Sequence, residues 1–127
     1  MSRWLFIRIG LALACLAAGS GAARGHGDVF PQYGGVVQDV SDIAYEIVSD
    51  PAGTVMYIED HGMPVMTTGI TGTLYLWQGV TRTGHDLTPD GANRMRARGT
   101  RWIKGQKAAA TLKMPSGRIV VIRFPGP

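Results

Sequence analysis

The stretch Ala108-Ala109-Ala110-Thr111-Leu112-Lys113-Met114-Pro115-Ser116-Gly117-Arg118-Ile119-Val120-Val121-Ile122-Arg123-Phe124 decides how this chain folds. Its first half reads as helix on alanine content alone. Pro115-Ser116-Gly117 overrules that reading: proline presets one backbone angle of a turn and glycine supplies the positive φ that few other residues tolerate. The second half, Arg118 to Phe124, is a run of β-branched and aromatic residues suited to a pleated surface. Two such segments flanking a tight turn predict a hairpin, and the last stretch with helical character goes with them.

Working back along the chain, Asn93-Arg94-Met95-Arg96-Ala97-Arg98 alternates strictly. Met95 and Ala97 share one face and three arginines the other, as in a half-buried strand. Ile43–Val48, Thr54–Ile58 and Thr73–Trp77 are short runs rich in β-branched and aromatic side chains. Turn signals fall at Ser49-Asp50-Pro51-Ala52-Gly53, Asp60-His61-Gly62-Met63-Pro64, Pro89-Asp90-Gly91 and Lys104-Gly105. A spacing of roughly ten residues between turns predicts an all-β fold, an antiparallel immunoglobulin-like β-sandwich of about seven to nine short strands. The Cys and Trp signature of true immunoglobulin domains is missing, so only the architecture is implied.

The N-terminus has a different character. Basic Arg3 and Arg8, the apolar run Ile9 to Ala18 and the small residues Gly19 to Ala23 have the three-part pattern of a secretory signal peptide. The apolar run is too short to span a bilayer as a helix, which takes about 20 residues. We expect a signal-peptide helix over 1–25, a flexible lead-in over 26–34 and the β-sandwich domain over 35–127, in a periplasmic or secreted protein. Cleavage after Ala22, Ala23 or Gly25 is compatible with the small-residue rule, and the last of these makes His26 the first residue. Cys15, the only cysteine, offers lipoprotein anchoring as an alternative. In a normally cleaved product it is gone, and the core must hold without a disulfide.

Processing also changes the charge. The full chain carries +4, and a cut after Gly25, which removes Arg3, Arg8 and Arg24, leaves ten basic residues against nine acidic, a net of +1. All nine acids lie at or before Asp90, and nine of the ten remaining basic residues lie after it. Either the second half presents a basic surface, or strands from the two halves interleave and the charges mix. Export argues against nucleic acid as a partner.

Five stretches form an ordered series: His26-Gly27-Asp28, Tyr33-Gly34-Gly35-Val36-Val37, Tyr45-Glu46-Ile47-Val48, Tyr57-Ile58-Glu59-Asp60-His61-Gly62-Met63-Pro64-Val65 and Gly69-Ile70-Thr71-Gly72-Thr73-Leu74. The series resembles small periplasmic proteins and the N-terminal β-domains of some heavy-metal efflux adaptors. In those, a His-Gly-Gly-Val stretch precedes a strand ending in Glu-Leu-Val and a later Asp-His-Gly-x-Pro-Val turn; Tyr33 stands here in the place of the first His. The resemblance implies an accessory or metal-handling component of copper, zinc or cobalt export, with a metal-efflux system or another envelope protein as partner.

The residues themselves offer few donors for such a role. Glu59 to Met66 is the densest cluster, and an imidazole with thioethers suits Cu(I). A tight turn would bring His61, Met63 and Met66 together; the plainer alternative is a hairpin loop with His61 solvated and Met66 filling the core. His26, as a first residue, would chelate Cu(II) through its amine and imidazole; otherwise it is part of the lead-in. His85, between Gly84 and Asp86, reads as a polar turn residue. The competing function is a non-metal interaction module that docks on an envelope protein or anionic surface through Arg94, Arg96, Arg98, Arg101 and its sheet edges. Catalysis is not expected: there is no nucleophile elbow, phosphate loop, dinucleotide fingerprint or His-Glu-x-x-His motif.

Overall fold

The computed structural model describes residues 29–126. The expected signal peptide with its helix, Cys15 and His26 lie outside the described residues. Nine strands succeed one another without a helix among the described residues: β1 (Val36–Val40), β2 (Ile43–Asp50), β3 (Gly53–Asp60), β4 (Met63–Pro64), β5 (Thr71–Gln78), β6 (Thr81–Pro89), β7 (Arg94–Arg98), β8 (Ala108–Lys113) and β9 (Ile119–Phe124). Every pairing is antiparallel, along one path β1-β2-β3-β7-β6-β5-β8-β9, with short β4 added to β3. The end strands β1 and β9 come together, so the sheet rolls nearly into a barrel. Strand edges are then largely turned toward each other, which limits the unpaired backbone that an open sheet presents.

The hairpin that decided the fold shows why alanines form a strand here. β8 runs between β5 and β9, and Ala108 faces Phe124 on one side and Leu76 on the other. Ala110 likewise lies between Ile122 and Leu74. Small side chains in the middle strand make room for large ones on both neighbours, and all six of these residues are buried. β9 alternates as expected, with Val120, Ile122 and Phe124 inward and Ile119, Val121 and Arg123 outward. Tyr45, Ile47, Met56, Ile58, Met95 and Ala97 from the other half of the path complete one core. Full burial of such side chains contributes about 1.5–3 kcal/mol each, so this cluster is the principal source of stability.

The long connection from β7 to β8 is fastened by Trp102. Its backbone N–H donates to Thr54 Oγ1 at 2.8 Å, its carbonyl accepts from Ser49 Oγ, and its indole N–H donates to the Gln106 carbonyl at 2.9 Å. Gln106 in turn donates through Nε2 to the Trp77 carbonyl. With Trp102 only 5% exposed, the loop closes over the core and ties β2 and β3 to the end of β5.

β7 settles how the charges are distributed. It enters between β3 and β6, so an arginine-bearing strand from the basic half lies against acid-bearing segments of the other. Met95 and Ala97 are fully buried, as their alternation predicts. Arg96, on the outward face, is buried too: Nη1 donates to Asp50 and Nε to Asp90, each at 2.7 Å. Elsewhere Arg82 lies over the Tyr75 ring and Lys107 over Trp77. At β7, charges from the two halves of the chain thus interleave.

Candidate functional site

Three of the five sequence stretches in the ordered series meet on the outer face of β1, β2 and β3. Tyr45 and Ile47 point into the core, so Glu46 between them faces outward, opposite Tyr57 on β3 and Val37 on β1. An outward glutamate is ordinarily solvated, yet Glu46 is 4% exposed. The segment 30–35 folds back over it, and three backbone N–H groups donate to its carboxylate: Gln32 at 2.5 Å to Oε1, Tyr33 at 2.8 Å and Gly35 at 2.9 Å to Oε2. Among the described residues, the buried carboxylate is thus met by backbone dipoles. The described part of the lead-in is a strap fastened to β2.

The Gly-Gly pair makes this fold-back possible. Gly34 has φ +77°, and a Cβ on Gly35 would lie 2.0 Å from the Ile47 carbonyl oxygen. The first position needs a left-handed backbone and the second needs the absence of a side chain. Tyr33 is thereby laid flat on Tyr57, ring centroids 3.6 Å apart and planes within 7°. Its hydroxyl donates to Glu59 Oε1 at 3.0 Å. Partial desolvation, together with this carboxylate neighbour, raises the Tyr33 phenol above its ordinary value.

Next to this face the β3–β4 hairpin turns in two residues, His61 at φ +49° and Gly62 at φ +78°. Two successive left-handed residues are what a tight turn matching the strand twist requires. His61 Nδ1 is 2.5 Å from Asp60 Oδ1. The hydrogen bond and charge of Asp60 raise the imidazole above its ordinary value, and the contact leaves Nε2 as the nitrogen for a ligand. Met63 and Met66 are 68% and 64% exposed. The reading in which Met66 fills the core is therefore corrected: Val65 packs against the core instead, and Met66, beyond the end of β4, is left outside. Among the described residues no group of three or more His, Cys, Asp and Glu side chains is placed to hold a metal ion. A metal at this hairpin would have to use the thioethers.

Under the strap lies a cavity of about 300 Å³, lined by Phe30, Tyr33, Asp39, Tyr57, Glu59 and His61 among others. It was not legible in the sequence as a site, because its walls come from segments that are remote along the chain. No protein family model, curated protein or solved structure matches this chain. Its chemistry must be read from its own residues.

The other expected site residues fall elsewhere. His85 is in β6 rather than a turn, opposite Leu74, with Nε2 3.0 Å from Thr83 Oγ1. Of the four arginines proposed for docking, Arg96 is buried in its two ion pairs and half-buried Arg94 donates through Nε to the Asp90 carbonyl. Arg98 and Arg101 are exposed, Arg98 reaching Asp90 at 3.4 Å.

Proposed function

We propose that this chain is a periplasmic binding protein, acting by association rather than catalysis, which holds a transition metal, copper above all, as an accessory component of metal efflux or resistance. The observation that carries the reading is the β3–β4 hairpin. Asp60 orients the His61 ring through Nδ1, and within five further residues the chain exposes two thioethers, Met63 and Met66. A carboxylate on one imidazole nitrogen fixes the tautomer and makes the other nitrogen a better donor. One imidazole with thioethers is a soft set that favours Cu(I) over zinc. His26 adds a donor outside the described residues, suited to Cu(II) if it is the first residue of the mature protein. The all-β scaffold, a nine-stranded antiparallel sheet, supports the reading by holding this turn at the end of a paired strand.

Competition titration of Cu(I) against the processed protein tests the proposal. Binding in the submicromolar range, weakened by about a hundredfold or more in the His61→Ala, Met63→Ala double variant, is the expected result. Equal affinity of the double variant and the wild type would overturn it. A second reading, an interaction module for an envelope protein or anionic surface, draws support from exposed Arg98 and Arg101. It predicts association that is independent of copper and lost when those two arginines are replaced.

A further inference from the structure

The thioethers of the hairpin leave the cavity beneath the strap unused. At about 300 Å³ it lies at the lower end of the range typical of small-molecule sites, about 300–1,000 Å³. Two kinds of surface line it. Phe30, Val37, Ala44 and the stacked Tyr33 and Tyr57 are apolar or aromatic, while Asp39, Asp42, Glu46 and Glu59 bring carboxylates. Among the described lining residues there is no Lys or Arg, and His61 alone can carry positive charge. Glu46 is already satisfied by three backbone N–H groups and serves to anchor the strap. Among the described residues, Asp39 and Glu59 each accept one hydrogen bond, Asp39 Oδ1 from the Asp42 N–H and Glu59 Oε1 from the Tyr33 hydroxyl. Each keeps a second oxygen with which to accept from a ligand.

These walls discriminate among ligand classes. A neutral apolar molecule would strip water from the Asp39 and Glu59 carboxylates with nothing to replace it. An anion would be repelled. A compact inorganic cation would satisfy the carboxylates but leave the apolar walls wet. A cation on an apolar body answers both surfaces, and tyrosine rings attract such cations through their faces. We infer that this cavity binds a small organic cation, an ammonium or guanidinium group carried on an aromatic or aliphatic body.

Calorimetric titration with phenethylammonium and agmatine, at low salt and with a copper chelator present, tests this. The neutral 2-phenylethanol serves as the isosteric control. Phenethylammonium should bind at least about tenfold more tightly than the alcohol. The isosteric double variant Asp39→Asn, Glu59→Gln keeps both internal hydrogen-bond acceptors, and should lose about tenfold or more in ammonium affinity while unfolding at nearly the wild-type temperature. Met63→Ala lies outside the cavity lining and should bind ammonium like the wild type while losing copper affinity, so the two proposals fail separately. Equal binding of cation and alcohol, wild-type affinity in the double variant, or no ammonium binding up to about 10 mM would each overturn the inference.

Discussion

Two side chains on the outer faces show how far a residue's role departs from its sequence context. Glu46 looks like a solvated strand residue, yet it is the buried anchor of the strap. Hydrogen bonds to charged groups contribute about 1.5–3 kcal/mol each, offset by the cost of desolvating the carboxylate. We expect Glu46→Ala to destabilise the protein by about 2–4 kcal/mol and to abolish the protection of the Tyr33 and Gly35 amides in hydrogen exchange. Protection retained at both amides would show that the strap holds by other means. Arg96 looks like a surface arginine, yet it is paired with Asp50 and Asp90. Its guanidinium holds both carboxyls below their ordinary value of 3.8. Groups whose folded values are depressed contribute stability that is present above the ordinary carboxylate range and lost as the pH falls through the lowered values. Arg96→Met should therefore lower stability by about 2 kcal/mol at neutral pH, and the gap from wild type should close as the pH drops below that range. Urea unfolding measured from pH 7 to pH 2 checks this; a gap independent of pH would mean that Arg96 acts by packing alone.

At the scale of elements, the terminal hairpin was readable because its turn chemistry outweighs alanine's helix preference. The sequence did not show that β8 would be a middle strand. That position is what requires alanine, since Leu74 and Leu76 press from one side and Ile122 and Phe124 from the other. Ala110→Leu, neutral or favourable in an isolated strand, should here cost about 1–3 kcal/mol by overpacking, read as a lowered thermal midpoint. An unchanged midpoint would show that the core has room beside β8. β6 escaped the sequence reading because Thr81 to Pro89 has one buried side chain, Leu87, and carries Gly84 and Pro89. It is a strand because β5 and β7 supply partners on either side, and no local pattern records that. The β3–β4 turn was legible in Asp60-His61-Gly62, since residues tolerant of positive φ stand where the turn needs them.

Across the whole molecule, the rolling of one continuous sheet produces both the core and the site. It brings β1 to β9, places β7 between strands of the acidic half and mixes charges that are segregated along the chain. It also gathers Tyr33, Glu46, Tyr57, Glu59 and His61 around one cavity, although the sequence distinguishes only His61 among them as a candidate ligand. The amino-acid sequence by itself determined the all-β class, most of the strands and their turns, because side-chain alternation and the φ preferences of glycine and proline are local properties. It also held the donors of the β3–β4 hairpin within a few residues of one another. Only the tertiary structure decided which arginines are exposed, that Met66 lies outside the core and that an outward glutamate is buried beneath a strap. Those outcomes depend on which distant backbone and side-chain atoms displace water from each group, and that is fixed by the order and closure of the strands.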